Sequence, residues 1–275
     1  QLGFDYLQNL GFTTLVTDKV VGDEVFSDIN QTLALGGITN GVKNEELTAA
    51  YAAIANGGVY NEPILYTKIT DHDGNVIIDK TETQQSRRVI KETTSFLLTN
   101  AMQDVVTSGT GASVNFGNMS IAGKTGTTSD YVDVWFAGYT PYYTAATWAG
   151  YDNTLTATRL RTDQEKRLAR NLWRIVMSEI HAELPNESFP TPSGIVTATV
   201  CSQSGKLPVP GLCDGTQKNE YFAEGTVPTT SCNVHYAGAV CSYSALTGAL
   251  PASPECPFKV SGVLTLNPDT LTPPA

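Results

Sequence analysis

A lysine, a glycine and two threonines follow one another at the end of an apolar segment, MSIAG, and their types suit them to hold an anionic substrate. Strand side chains alternate between faces, so Thr125 and Thr127 are expected on one face and Lys124 and Gly126 on the other. Two hydroxyls about 7 Å apart on one face can bracket a carboxylate. Lys124 adds positive charge, and Gly126 leaves room for a ligand or a backbone to approach. The alternative interpretation is an exposed strand end with Lys and Thr in solvent.

Three consecutive strands are predicted to position these residues. The segments MSIAGKTG (119–126), VDVWFAGYT (132–140) and YTAATWAGYD (143–152) are apolar or alternating, and turn residues separate them. Asp133, Trp135 and Trp148 are expected to be packing or pairing positions of this sheet.

Helices and one hairpin complete the predicted domain. Helical patterns cover 43–56, 92–106 and 163–183, and Asp73-Gly74 predicts a hairpin turn within 64–79. The last helix should be capped by Asp163 and should pack on the sheet. Its predicted apolar stripe consists of Leu168, Leu172, Ile175, Val176 and Ile180. The order of elements predicts an α+β fold, an antiparallel sheet covered by helices.

Two domains are expected, residues 1–189 and a small cysteine-rich β/loop module at 190–275, with prolines 190 and 192 marking a linker. The final residues, NPDTLTPPA, are typical of a disordered tail or linker.

All five cysteines (201, 213, 232, 241 and 256) lie in the cysteine-rich module, which predicts disulfides whose pairing the sequence leaves open. A zinc site is the alternative, since Cys232 and His235 have C-x-x-H spacing with Cys201 and Cys213 upstream. The upstream pair lacks a tight knuckle spacing, so we expect no metal and no cofactor.

Composition excludes some classes of function. The net charge is −10, with 17 basic residues that form no stripe, so nucleic acid is not an expected partner. No apolar run approaches the roughly 20 residues that span a bilayer.

Four segments resemble one family, the class A (bifunctional) penicillin-binding proteins. Residues 124–152, from KTGTTSDYVDVW to TWAGYD, are similar to the family's K-T-G motif and its two following strands. Residues 34–63 resemble the helical segment after its second motif, residues 105–114 the loop entering the K-T-G strand, and residues 225–235 a segment after the catalytic domain.

The resemblance implies a membrane-anchored, extracytoplasmic D,D-transpeptidase that cross-links peptidoglycan stem peptides ending in D-Ala-D-Ala and is acylated by β-lactams. Lys124 would join the hydrogen-bonded network around the nucleophilic serine. Thr125 and Thr127 would hold the substrate carboxylate, and the Thr127 N–H would be one of two oxyanion-hole donors. Gly126 would keep the strand edge open, and Thr128 would have a supporting role.

The chain departs from the family in one large respect: no S-x-x-K motif occurs in it. That motif supplies the acyl acceptor and its neighbouring base. Ser231-Cys232-Asn233 matches S-x-N, but it follows K-T-G and lies in the cysteine module. We therefore expect the nucleophile on an N-terminal portion of the same protein, either joined to this chain or present as a second chain, and we expect this chain alone to be inactive. A β-lactamase, a D,D-carboxypeptidase and a non-catalytic wall-binding module stay open as alternatives.

Overall fold

The computed structural model describes residues 1–151, 158–241, 251–253 and 255–267. The chain divides into two compact units, Gln1–Pro192 and Ser193–Ala275. Residue 152, in the last predicted strand of the sheet, and the tail 268–275 lie outside the described residues. No helix within the described ranges is long and apolar enough to cross a bilayer.

Five α-helices, four short 3-10 helices and nine strands make up the first unit within the described residues. The helices are α1 (Leu2–Asn9), α2 (Asn44–Ala55), α3 (Lys80–Thr83), α4 (Glu92–Thr107) and α5 (Leu168–Ile180). The strands are β1 (Lys19–Val21), β2 (Glu24–Phe26), β3 (Val59–Asn61), β4 (Lys68–Thr70), β5 (Val76–Asp79), β6 (Ser86–Arg88), β7 (Ala122–Thr127), β8 (Asp133–Tyr139) and β9 (Thr144–Gly150). The α+β class is confirmed. The β1–β2 and β3–β6 pairs were not predicted, since strands of three residues carry almost no periodicity.

Strands β7, β8 and β9 form the antiparallel sheet that the sequence predicts, in the order β7-β8-β9. Gly123 allows a close approach within it, because a Cβ there would lie 2.6 Å from the ring of Phe136. The strand pair can therefore hold an aromatic ring directly against its own backbone.

Helix α5 packs on this sheet through Trp173, which is fully buried. The Trp173 ring meets Phe136 edge-on at 5.0 Å between centroids, and its Nε1–H donates to the Ala145 carbonyl at 3.0 Å. The Thr147 hydroxyl donates to the Ala169 carbonyl at 2.8 Å. These contacts fix the helix relative to β8 and β9.

The apolar stripe predicted for α5 is wrong, because it is not the face of the helix that packs on the sheet. The buried residues are Ala169, Trp173 and Met177, whereas Leu172 and Ile175 are 50% and 59% exposed. One tryptophan between two smaller residues fills the space over the sheet, so the row of branched side chains faces outward. The other members of that row (Leu168, Val176 and Ile180) are also exposed.

The start of this helical segment also differs from the prediction. Thr162, not Asp163, makes the capping contacts ahead of the 3-10 helix Glu165–Arg167 that leads into α5: its hydroxyl accepts from the Glu165 N–H at 3.2 Å, and the Glu165 carboxylate accepts from the Thr162 N–H at 2.8 Å. This reciprocal pair is a capping box.

A buried carboxylate holds the segment before α2 in place through hydrogen bonds. Asp28 is 1% exposed and accepts from the Val16 N–H, the Thr39 N–H and the Thr39 hydroxyl at 2.7–2.8 Å. Burial raises the pKa of Asp28, but hydrogen bonds, chiefly from Thr39, outweigh it and leave that pKa below its usual value.

In the part of the second unit that the structure describes, four strands form two hairpins. Strand β10 (Ile195–Cys201) pairs with β11 (Gln217–Ala223), and β12 (His235–Cys241) pairs with β13 (Lys259–Thr265). Cys241 and Cys256 form a disulfide, whereas Cys201, Cys213 and Cys232 are buried and form none.

Candidate functional site

Strand β7, which carries the K-T-G sequence, is an edge strand of its sheet within the described residues. Just beyond the end of β7, the Thr128 N–H donates to the Asp133 carbonyl at 3.1 Å, toward β8. Because backbone groups of successive strand residues point to opposite sides, the Thr127 N–H points to the unpaired edge. The Thr125 carbonyl also faces that edge and accepts from Lys124 Nζ at 3.0 Å. A ligand along this edge would find a backbone donor and an ammonium group together.

The two threonines of the motif share one face of β7. The register pairs Thr125 with Phe136 and Thr127 with Val134, whereas Lys124 belongs to the opposite face. This alternation follows from the strand period of two. Lys124 and Thr127 are exposed and Thr125 is half-buried, so a ligand can reach all three.

A cavity of about 300 Å³ lies beside the motif and is bounded by β7 and α5. The Thr125 and Thr110 hydroxyls are 2.8 Å apart at its wall, and Arg170 donates to the Thr110 carbonyl at 2.8 Å. Lys166 and Arg167 also line the cavity, and among the described residues Asp163 is the one acidic residue of its lining. The cavity wall therefore has an excess of positive charge, which favours an anion.

Arg170 and its neighbours were missed at the level of sequence. Burial, and then the nearby charge of Arg167, lowers the pKa of Arg170, so an anion between the two guanidinium groups would relieve their repulsion. The signal was present in the segment EKRLAR (165–170), but the sequence did not show which face of the helix meets β7.

Thr128 belongs to the turn rather than to the cavity. Its hydroxyl accepts from the Asp133 N–H at 2.8 Å, and Trp148 Nε1–H donates to the Asp133 carboxylate at 2.8 Å. Asp130 and Tyr131 have left-handed backbone conformations, with φ of 63° and 57°, which are uncommon for residues other than glycine. These contacts fix the turn that ends β7 at Thr127, and Thr128 would act by holding it in place.

This arrangement can bind a carboxylate and stabilise an oxyanion. The threonine hydroxyls and cations suit the first task, and a backbone N–H fixed on a strand edge suits the second. Covalent catalysis also needs an activated nucleophile, and the chain has no S-x-x-K motif to supply one.

Two family descriptions match the chain. "Penicillin binding protein transpeptidase domain" matches residues 4–177, and "Penicillin-binding protein 1A, C-terminal domain" matches residues 191–237. The first match contains the whole K-T-G strand and most of α5. The second contains Cys201, Cys213, Cys232 and His235.

Named relatives agree with these matches. Penicillin-binding protein 1A of Clostridium botulinum (strain Langeland) is 37% identical over 243 residues, which cover 86% of this chain and 28% of that protein. This chain therefore spans less than a third of that relative.

Solved structures share the fold. Penicillin-binding protein 1A from Haemophilus influenzae has a TM-score of 0.66 at 22% identity, covering 83% of this chain and 37% of that one. The PonA1 protein from Mycobacterium tuberculosis, in complex with penicillin V, has a TM-score of 0.55 at 24% identity, covering 68% of this chain and 51% of that one.

Proposed function

Since the chain belongs to the transpeptidase family of penicillin-binding proteins, we propose that it forms the substrate-holding half of a serine D,D-transpeptidase site. The observation that carries this proposal is the position of the Thr127 N–H on the unpaired edge of β7, with the Thr125 hydroxyl and Lys124 beside it. The substrate would be a peptidoglycan stem peptide ending in D-Ala-D-Ala, and a β-lactam would occupy the same place.

The proposed roles are those that the resemblance implies for each residue, and the positions of Thr125, Thr127 and Arg170 support them. The terminal carboxylate of the stem peptide would accept hydrogen bonds from the Thr125 and Thr127 hydroxyls, with Arg170 close behind Thr125. As a serine attacks the penultimate carbonyl, the Thr127 N–H would stabilise the developing negative charge on the carbonyl oxygen. Lys124 would join the proton-transfer network around that serine, and Gly126 would keep the strand edge open to the peptide. D-alanine would leave, and an amine of a neighbouring stem peptide would resolve the acyl-enzyme.

The nucleophilic serine would lie on another segment of the transpeptidase domain. The exposed apolar row of α5 supports this part of the proposal, since Leu172, Ile175 and Ile180 present side chains that are about half exposed. Exposed apolar faces of this kind mark surfaces that another element covers. We infer that the segment carrying S-x-x-K packs there, in the same polypeptide or as a second chain.

The place of action would be outside the cytoplasmic membrane, where peptidoglycan is cross-linked. A membrane anchor would belong to the full-length protein, as the resemblance to class A penicillin-binding proteins implies. The chain alone would be inactive.

Time-resolved labelling with a fluorescent penicillin tests the proposal. The protein should contain this chain together with the segment that carries S-x-x-K. A stable label supports a transpeptidase. Rapid loss of the label would indicate a β-lactamase or a carboxypeptidase, and no labelling would indicate a non-catalytic binding module.

A further inference from the structure

Three cysteines and a histidine of the second unit converge on one point. Cys201 ends β10, Cys213 lies between β10 and β11, Cys232 lies between β11 and β12, and His235 begins β12. All four residues are buried, and their sulfur and nitrogen atoms lie within 4.8 Å of one another. None of these cysteines takes part in the Cys241–Cys256 disulfide.

The distances within this cluster are nearly equal. Nδ1 of His235 is 3.5 Å from the sulfur of Cys201, 3.4 Å from that of Cys213 and 3.5 Å from that of Cys232. One ring N–H cannot point at three sulfur atoms, so a hydrogen bond explains at most one of these contacts. A tetrahedral zinc ion bound by three thiolates and an imidazole would place the nitrogen about 3.5 Å from each sulfur, from the usual Zn–S and Zn–N lengths.

We propose that Cys201, Cys213, Cys232 and His235 bind one Zn²⁺ ion as a closed structural site. Thiolate and imidazole are the ligands zinc prefers, and four protein ligands leave no position for a reactive water. The Val209 N–H donates to the Cys213 sulfur at 3.3 Å, and hydrogen bonds of this kind orient metal ligands. This proposal replaces the expectation of no metal that the spacing in the sequence suggested.

The wide spacing of the cysteines in the sequence does not argue against zinc, because turns of the fold bring them together. Cys201 closes a tight turn, in which its N–H donates to the Lys206 carbonyl and its own carbonyl accepts from the Gly205 N–H, both at 2.8 Å. The Cys232 N–H donates to the Leu207 carbonyl at 2.7 Å. These bonds bring distant cysteines together, although Cys201 and Cys213 lack a short knuckle spacing in the sequence.

A metal would also supply the stability this unit needs. Within the described residues each hairpin is a two-stranded sheet, and such hairpins are marginal in water by themselves. The buried cluster that joins them consists of the three cysteines and Val234, with Val209 packed against it. With so little apolar volume, the ligand–metal bonds would take the place of a hydrophobic core.

Zinc content of the 275-residue chain, purified under reducing conditions without chelator, tests the site. We expect one Zn²⁺ per chain. Cys213→Ser and His235→Ala should each lower zinc affinity more than about 100-fold, beyond the usual effect of changing a group that only hydrogen-bonds to a metal ligand. The matched control is the Cys241→Ser/Cys256→Ser double variant, which removes two cysteines of the same unit and should keep the ion.

Two further measurements keep the test decisive if a variant fails to fold. Co²⁺ added to the metal-free wild-type chain should give the visible bands of tetrahedral coordination and a thiolate charge-transfer band. His235→Cys should still bind zinc, since a fourth thiolate is also a good ligand. A chain without zinc that gives no such cobalt spectrum would overturn the proposal, as would a disulfide between two of the three cysteines. Neither outcome depends on penicillin labelling, so the zinc site and the transpeptidase function can fail separately.

Discussion

Replacing Thr125 by valine removes one hydroxyl from the proposed carboxylate site and keeps the shape of the side chain. In the structure this hydroxyl lies 2.8 Å from that of Thr110, so Thr110 can donate to Thr125 while Thr125 donates to a ligand carboxylate. Thr110 is exposed, and water can replace its lost partner, so little stability should be lost.

The expected effect is on acylation. A hydrogen bond to a charged group contributes about 1.5–3 kcal/mol, which corresponds to a rate about 10- to 150-fold lower. The assay is the second-order rate constant for labelling by a fluorescent penicillin, measured on protein that also carries the S-x-x-K segment. Thr125→Ser keeps the hydroxyl and should stay near the wild-type rate. If Thr125→Val folds normally and acylates within twofold of wild type, the hydroxyl does not hold the carboxylate.

Three further changes test the framework of the first unit. Trp173→Ala should lower the free energy of unfolding by about 3–5 kcal/mol, measured by chemical denaturation. Trp148→Phe, at a partly exposed position, should lower it much less. Equal losses for the two variants would contradict the packing of α5. Asp28→Asn should cost about 1–3 kcal/mol at neutral pH. Because the folded pKa of Asp28 is lowered, its contribution is complete above the unfolded pKa of about 3.9 and is lost as the pH falls through the folded value. The gap between wild type and variant should therefore close in acid, and a gap independent of pH would refute this reasoning. The double variant Leu172→Glu/Ile175→Glu should weaken association with the S-x-x-K segment in a pull-down and leave the stability of this chain nearly unchanged. A loss of stability instead would mean that these side chains are part of the chain's own core.

The sequence predicted the sheet and its motif well because local periodicity determines both. Alternation along 122–127 was enough to separate Lys124 from the two threonines, and the register agrees with it. Long helices with clear patterns, such as α2 and α4, were also predicted close to their observed bounds.

What the sequence could not show depends on tertiary packing. In α5 the most apolar row is exposed, because the single side chain of Trp173 fills the available space over the sheet. The contact between Arg170 and Thr110 joins residues 60 positions apart, and no local pattern reports it. The cluster of Cys201, Cys213, Cys232 and His235 is also assembled by turns, so its spacing in the sequence was misleading.

The most direct test of the central claim compares penicillin labelling of this chain alone with labelling after the S-x-x-K segment is added. We expect no label on the chain alone. With the segment present, a stable label should appear on the serine of that segment and should depend on Thr125. Stable labelling of the isolated 275-residue chain would show that it contains its own nucleophile and would contradict the division of the site.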